Sequence, residues 1–161
     1  MLRERQPTAG MKVFERLRAM FRRFEPITVH DGQIGNFTSD PYGNWHGRLS
    51  FGSSTTVLDI LLRTGTAPPN FAQVQFVCEV RSRFDTIWRE LRGQVFAGLD
   101  SFADGTTMEQ LFDSLQVNGI SFWQLDTHPF RWEISAETPL DDHLFGIMMD
   151  EFEYTDFRMD G

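Results

Sequence analysis

The chain has 161 residues, a formal net charge of −8 at pH 7 and a sequence pI of about 4.9. Its single cysteine, Cys78, excludes an internal disulfide, and the chain lacks the run of about 18 apolar residues that crosses a bilayer. Nucleic-acid binding needs clustered Lys and Arg, so the acidic balance argues against it. We expect a soluble, cytoplasmic protein with one core rich in Phe and Trp.

The charges divide the chain into a basic head and an acidic body. The first 24 residues carry seven Lys or Arg and two acids, whereas residues 25–161 carry eight cations and 21 acids. A charge field acts on partners and solubility rather than on the fold. The separation into a basic and an acidic part therefore bears on which partners the protein binds.

The basic head contains one predicted helix. Residues 1–10 show no apolar period and are predicted to be a disordered leader upstream of a natural start at Met11. Residues 11–25 are predicted to form a basic amphipathic helix that ends before Pro26. Its apolar face holds Phe14, Leu17, Phe21 and Phe24, and its charged face holds Arg16, Arg18, Arg22 and Arg23. Such a helix either docks on the protein's own domain or binds an anionic membrane surface or a partner.

Beyond Pro26 the apolar period becomes alternating, which is typical of β-strands. The predicted strands of this first block are 27–30, 33–37, 45–51 and 55–62. The first two flank Asp31-Gly32, a dipeptide that favours a tight hairpin turn. The fourth is nearly continuously apolar, which predicts a strand covered on both faces, with Asp59 as the exception.

Two helices are predicted between two blocks of strands. The longer helix follows the N-cap Asn70 and runs to about Leu99, because apolar residues recur at helical spacing. The shorter helix begins at Thr106 with a capping box to Glu109 and ends at residues 118–119.

The alternating pattern returns at the end of the chain. Residues 120–125 and 130–135 are a predicted hairpin, and 143–150 and 152–159 are a second strand pair. Strands, then helices, then strands indicate an α+β fold for residues 27–161. We predict a single domain with an antiparallel meandering sheet of about seven to eight strands in two blocks. One long and one short central helix pack on this sheet, and the N-terminal amphipathic helix precedes it.

Short motifs give the chain a family resemblance. In order, they are Asp40-Pro41-x-Gly43, Trp45-x-Gly47 and His143-Leu144-Phe145, followed by Gly161. With these motifs, residues 30–161 resemble a family of bacterial and phage-borne domains of unknown function, some of which are encoded near toxin-immunity genes. The resemblance implies a small α+β domain and supplies no catalytic residues. The basic helix lies outside it.

Candidate catalytic and metal-ligating residues are few. The four histidines lack the His-x-x-x-His spacing that places two rings on one helical face. The densest group joins His143 to nearby carboxylates. Cys78 lies on the apolar stripe of the longer helix, where a small buried hydrophobe is expected rather than a nucleophile. With no glycine-rich phosphate loop either, we predict no cofactor, no metal and no catalytic residue.

The C-terminal end is the most acidic part of the chain. Residues 137–160 hold eight acids and one cation, Arg158. Such a surface suits a basic partner, because complementary charge speeds encounter and excludes wrong partners. An edge hairpin kept soluble by its charge is the alternative interpretation.

We predict a non-enzymatic binding protein, of immunity or accessory type, that engages a basic protein partner. The predicted contact residues are Asp141, Asp142, Asp150, Glu151, Glu153, Tyr154 and Asp156. One alternative is a peripheral membrane protein anchored by residues 11–24. The other is a hydrolase or metal-dependent enzyme that uses His143 and the nearby carboxylates.

Overall fold

The computed structural model describes residues 24–65, 67–95 and 105–160. These residues form one eight-stranded sheet in which each strand pairs with the next along the chain. The strands are β1 (Thr28–Asp31), β2 (Gly35–Ser39), β3 (Asn44–Ser50), β4 (Val57–Arg63), β5 (Gln116–Gln124), β6 (Arg131–Thr138), β7 (Asp141–Asp150) and β8 (Glu153–Asp160). The helices α1 (Phe71–Leu91) and α2 (Met108–Ser114) lie between β4 and β5 in the chain.

The two central strands, β4 and β5, are parallel, whereas every other neighbouring pair in the described sheet is antiparallel. Ile60 lies opposite Ile120, and Leu62 lies opposite Phe122. Parallel neighbours need a long crossover connection, which here contains α1 and α2. The two predicted strand blocks therefore merge into a single sheet.

The predicted α+β fold class is wrong. Helix accounts for only 22% of the described residues, so the protein is built mainly on its sheet, and this sheet is not wholly antiparallel. Helix α1 ends at Leu91 rather than near residue 99. Helix α2 has Thr107 as its N-cap with Gln110 as the capping-box partner, and it ends at Ser114. The residues that follow pair with β6 as part of β5, and this long-range pairing overrides their local helical pattern.

The predicted leader 1–10 and most of the predicted helix 11–25 lie outside the described residues. Only Phe24 and Glu25 of that helix are described, and neither is helical. Pro26 accounts for the geometry of Glu25, because a proline disfavours helical geometry in the residue before it. The chain enters β1 two residues later.

Helix α1 covers one face of the sheet. Its N-terminus is fixed by a capping box, in which the Asn70 side chain accepts the Gln73 N–H at 3.1 Å and the Gln73 side chain accepts the Asn70 N–H at 2.8 Å. The buried apolar residues of the helix are Val74, Phe76, Val77, Val80, Phe84, Ile87 and Leu91. They form one core with the inward-facing strand residues, which include the fully buried Trp45 and Trp132.

No described element covers the opposite face of the sheet, which we call the open face. In β4, residues 58, 60 and 62 are buried, whereas Val57 and Asp59 are exposed. The prediction that this strand is covered on both faces is therefore wrong, because α1 packs on one face only. Asp59 lies on the open face, where its Oδ1 is 3.4 Å from the Arg48 Nε.

The Asp-Pro-x-Gly motif forms the turn between β2 and β3, and its residues have structural roles there. The Asp40 carboxylate accepts hydrogen bonds from two backbone N–H groups, at 2.8 and 2.9 Å, and from the Asn44 side chain at 2.8 Å. Gly43 has φ of 83°, and a Cβ at this position would lie 3.0 Å from the Gly65 carbonyl carbon. The turn therefore needs the Asp and the Gly for its shape.

Asp40 makes the stability of this turn sensitive to acid. Desolvation alone would raise its pKa, but hydrogen bonds from His46, Asn44 and Tyr42 outweigh it and hold the pKa of Asp40 well below its usual value of 3.8. Such a carboxylate stabilises the fold above the pKa of the unfolded state, and this stabilisation is lost as the pH falls toward the lower folded pKa.

We expect Asp40→Asn to lower the free energy of unfolding at neutral pH by about 1 kcal/mol, because the turn loses its charged acceptor. The variant should also lose less stability than the wild type as the pH falls below about 4. Urea denaturation of both proteins at several pH values measures the two effects. Parallel stability curves for the two proteins would contradict this prediction.

Gly47 in β3 gives room to the ring of Phe37 on the neighbouring strand. A Cβ at residue 47 would lie 2.5 Å from the Phe37 Cε1, and that ring is fully buried. We expect Gly47→Ala to lower the free energy of unfolding by about 1 to 3 kcal/mol, as overpacked cores do. Gly32→Ala is the control, because a Cβ there meets nothing within 4 Å. Urea denaturation that finds the two variants equally stable would refute the prediction.

Candidate interaction site

The structure separates the predicted acidic residues into two groups. Asp141 and Asp142 lie at the start of β7, and Asp150 lies at its end. A strand of this length spans roughly 30 Å, at about 3.3 Å per residue. The seven residues predicted as one contact patch therefore do not form one surface.

At the start of β7, Asp142 and His143 line a cavity of about 350 Å³. The other lining residues are Gln116, Glu137, Thr138, Pro139 and Leu144. Within residues 24–65, 67–95 and 105–160, no three His, Cys, Asp or Glu side chains converge as metal ligands would. The described residues at this end of β7 therefore form no metal-ligand cluster around His143.

At the other end of β7, Asp150, Glu153 and Asp156 project from the open face, and we call these three residues the acidic edge. Asp150 and Glu153 are paired across the β7–β8 hairpin, and Asp156 is opposite Met148. All three lie on the face away from α1. Residues 148 and 150 of β7 alternate with the buried Ile147 and Met149, and a bulge at Thr155 keeps Glu153 and Asp156 on that same face. Glu153 and Asp156 are exposed, and in the part of the chain that is described neither forms an ion pair.

The cations nearest the acidic edge are already bound. Arg158 donates to the Glu133 Oε2 at 2.5 Å. Arg131 has its Nε 3.2 Å from the Asp150 Oδ1, and its guanidinium carbon lies 5.7 Å from the centre of the Trp123 ring. The acidic edge therefore keeps a negative field.

Glu151 has a different role, because it forms the turn between β7 and β8. Its backbone has φ of 52°, its N–H donates to the Phe130 carbonyl at 2.7 Å, and its own carbonyl accepts the Trp132 Nε1–H at 2.7 Å. Its carboxylate lies 2.8 Å from the His128 Nδ1. Glu151 thus ties the turn to β6 and to the loop before it.

Tyr154 lies on the opposite side of the sheet from the acidic edge. It is paired with Met149 and packs against the core beneath α1. Desolvation by burial, and then the nearby Asp156 carboxylate, raise the pKa of the Tyr154 phenol. Tyr154 is therefore a packing residue of β8.

The Glu151 turn forms one wall of a groove of about 410 Å³, and the first turns of α1 form the other wall. The lining residues are Phe71, Ala72, Gln75, Phe76, Glu79, His128, Phe130, Glu151 and Phe152, and we call this site the aromatic groove. The residues come from segments far apart in the sequence, so no local pattern indicated the groove. The only signal in the sequence was the density of Phe residues.

The floor of the groove is aromatic and buried, but its rim is exposed. Phe76 and Phe130 are each only 7% exposed, and their ring centres are 5.0 Å apart. Phe71, at the rim, is 76% exposed. A large exposed ring next to buried rings is typical of interaction surfaces.

Charged groups stand at the same rim. The Glu79 Oε1 lies 3.1 Å from the Arg83 Nη1, and the guanidinium carbon of Arg83 lies 3.9 Å from the centre of the Phe152 ring. Glu151 adds a second carboxylate that is about half exposed. The groove thus combines aromatic faces with negative charge.

Cys78 and His46 both make contacts that stabilise the fold. The Cys78 Sγ is 3.4 Å from the Gln33 Oε1. Desolvation, and then Asp31, raise the pKa of the Cys78 thiol, which keeps it protonated at neutral pH and opposes nucleophilic reactivity. The His46 Nε2 is 3.0 Å from the Asp40 Oδ2 in the β2–β3 turn.

Of the residues predicted to bind a membrane or a partner through the basic helix, only Phe24 is described, and it is half-buried. The residues that lie outside the described part of the chain are Phe14, Arg16, Leu17, Arg18, Phe21, Arg22 and Arg23. Neither α1 nor α2 combines the length and the apolar character that a bilayer-spanning helix needs.

Comparison of the chain with models of protein families, with curated proteins and with solved structures finds no match. The resemblance to bacterial and phage-borne domains therefore stays a prediction.

Proposed function

We propose that the protein is a non-enzymatic binding protein that engages a basic protein partner through the acidic edge and the β7–β8 turn beside it. The observation that carries this proposal is that Glu153 and Asp156 are exposed while their neighbours Arg131 and Arg158 are already paired with acids. Complementary charge at such a surface speeds association and selects the partner.

The charge of the whole body supports the same proposal. Residues 25–161 contain 21 acids, eight Arg and no Lys. The arginines bound to other groups of the chain are Arg48, Arg63, Arg81, Arg83, Arg92, Arg131 and Arg158. With so many cations occupied, the charge left for a partner is mainly negative.

An immunity or accessory role in the cytoplasm fits this chemistry, because such a protein acts by occupying a basic partner rather than by reacting with it. The half-buried, unpaired Cys78 supports a reducing compartment. An edge strand that only resists aggregation would need charge of either sign. A binding surface for a basic partner needs negative charge, so reversing the sign separates the two interpretations.

The double variant Glu153→Lys with Asp156→Lys tests the proposal. The probe is a labelled decapeptide rich in Lys and Arg, and fluorescence anisotropy near physiological salt measures its affinity. We expect the affinity to fall at least about tenfold, because local attraction becomes repulsion. The circular dichroism spectrum and the solubility should stay those of the wild type, because charge still protects the edge.

The matched control is Glu90→Lys with Asp142→Lys, which changes the net charge equally at exposed acids away from the acidic edge. This control should bind the peptide with an affinity close to that of the wild type. If both double variants lose the same affinity, binding follows net charge alone and the proposal fails.

A further inference from the structure

We propose that the aromatic groove binds the guanidinium group of one arginine side chain of the basic partner. This inference rests on the proposed function and names the residue type by which the partner is anchored. The groove is separate from the acidic edge, because it lies on the side of the sheet that α1 covers.

The groove is held in shape before any ligand arrives. Its floor consists of the buried rings of Phe76 and Phe130. The Gln73 Nε2 donates to the Leu125 carbonyl at 2.9 Å, which ties the β5–β6 loop to α1. The Glu151 N–H bonds the Phe130 carbonyl at 2.7 Å, which ties the β7–β8 turn to the same loop. A preformed site costs a ligand little ordering entropy.

The chemistry of the groove suits a flat cation. The faces of aromatic rings attract cations, and a guanidinium stacks on them because it is planar and weakly hydrated. The chain itself shows this contact, since Arg83 lies over the Phe152 ring at 3.9 Å. The most exposed ring of the groove, Phe71, carries no such cation among the described residues.

The charges at the rim leave one carboxylate for the ligand. Glu79 pairs with Arg83, whereas no Lys or Arg of the described residues pairs with Glu151, whose carboxylate lies 2.8 Å from the His128 Nδ1. An arginine that enters between Phe71 and the β7–β8 turn would therefore stack its guanidinium on the Phe71 ring and bring it near the Glu151 carboxylate. A phosphate or carboxylate ligand would be repelled by the Glu151 carboxylate.

The position of the groove joins it to the acidic edge. Glu151 and Phe152 of the groove lie in the chain between Asp150 and Glu153 of the edge. An arginine in the groove would thus bring the partner's neighbouring cations to the acidic edge. Interfaces commonly combine a central anchor, often Trp, Tyr or Arg, with a charged rim of smaller energy.

The test uses three lysine peptides that differ only in the central residue, which is arginine, lysine or citrulline. Citrulline keeps the shape of arginine but carries no charge. We expect the wild type to bind the arginine peptide about three- to tenfold more tightly than the citrulline peptide, as a partly exposed cation–π contact predicts. The lysine peptide should fall between them.

Phe71→Ala should abolish the preference for arginine without unfolding the protein, because this side chain is largely exposed. Tyr42→Ala is the matched control, since Tyr42 is 79% exposed in the β2–β3 turn, outside the groove. This control should keep the preference. The fluorescence assay with labelled peptides serves for all variants.

Equal affinities of the wild type for the arginine and citrulline peptides would overturn the inference, and so would a preference that survives Phe71→Ala. In either case the proposed function would stand if Glu153→Lys with Asp156→Lys still weakened all three peptides. If the wild type bound none of the peptides, the inference and the proposed function would fail together.

Discussion

Replacing Trp132 with Ala is expected to lower the free energy of unfolding by about 3 to 5 kcal/mol, because large-to-small changes in a core lose both burial and packing. Trp132 is fully buried in β6. Its ring stacks on Phe122 with the ring centres 5.7 Å apart. Urea denaturation at neutral pH measures the loss. A loss below about 1 kcal/mol would contradict the placement of this ring at the centre of the core.

Trp132→Phe separates the contribution of the Trp132 hydrogen bond to the free energy of unfolding from the contribution of the ring. The variant keeps an aromatic ring but leaves the Glu151 carbonyl without the Trp132 Nε1–H donor, which we expect to cost about 1 to 3 kcal/mol. Trp123→Phe is the matched control, because the buried Trp123 Nε1 has no hydrogen-bond partner among the described residues. The control should cost much less. Equal losses in the two Phe variants would show that the bond to the Glu151 turn does not stabilise the fold.

Phe76→Ala is expected to produce a loss of similar size, about 3 to 5 kcal/mol. The Phe76 ring lies 6.1 Å from Phe122, 5.0 Å from Phe130 and 5.6 Å from Phe152, measured between ring centres. Its removal should empty the floor of the aromatic groove as well as weaken the core. Urea denaturation and the peptide assay measure the two consequences.

Phe71→Ala, on the same helix, provides the comparison for Phe76→Ala. Phe71 is mostly exposed, so its loss should change the free energy of unfolding by less than about 0.5 kcal/mol. The two variants thus each remove a phenylalanine ring, Phe76→Ala from the floor of the groove and Phe71→Ala from its rim. If Phe71→Ala destabilised the protein as much as Phe76→Ala, the distinction between floor and rim would be wrong.

Local patterns in the sequence predicted single strands better than their arrangement. Alternation in β3 placed Trp45 and Leu49 inside and His46 and Arg48 outside, and the burial of these residues agrees. The parallel pairing of β4 with β5 joins residues about 60 positions apart, such as Ile60 and Ile120. No local period encodes such a pairing, and the prediction of a wholly antiparallel sheet was wrong for that reason.

The arrangement of the candidate site could likewise not be predicted from local patterns in the sequence. Charge counts predicted an acidic C-terminal end, but the length of β7 separates Asp142 from Asp150. Alternation along β8 then places Glu153 and Tyr154 on opposite faces of the sheet. The aromatic groove depends on contacts between α1, the β5–β6 loop and the β7–β8 turn, which only the folded chain brings together.

The most direct test of the proposed binding surface is a paramagnetic relaxation map. A basic peptide with a central arginine and a terminal nitroxide label would be added to the ¹⁵N-labelled full chain near physiological salt. We predict the strongest signal loss at amides of residues 71–79, 126–130 and 150–156. Signal loss spread evenly over the surface, or strongest around the acids of α2, would contradict binding at the acidic edge and the aromatic groove.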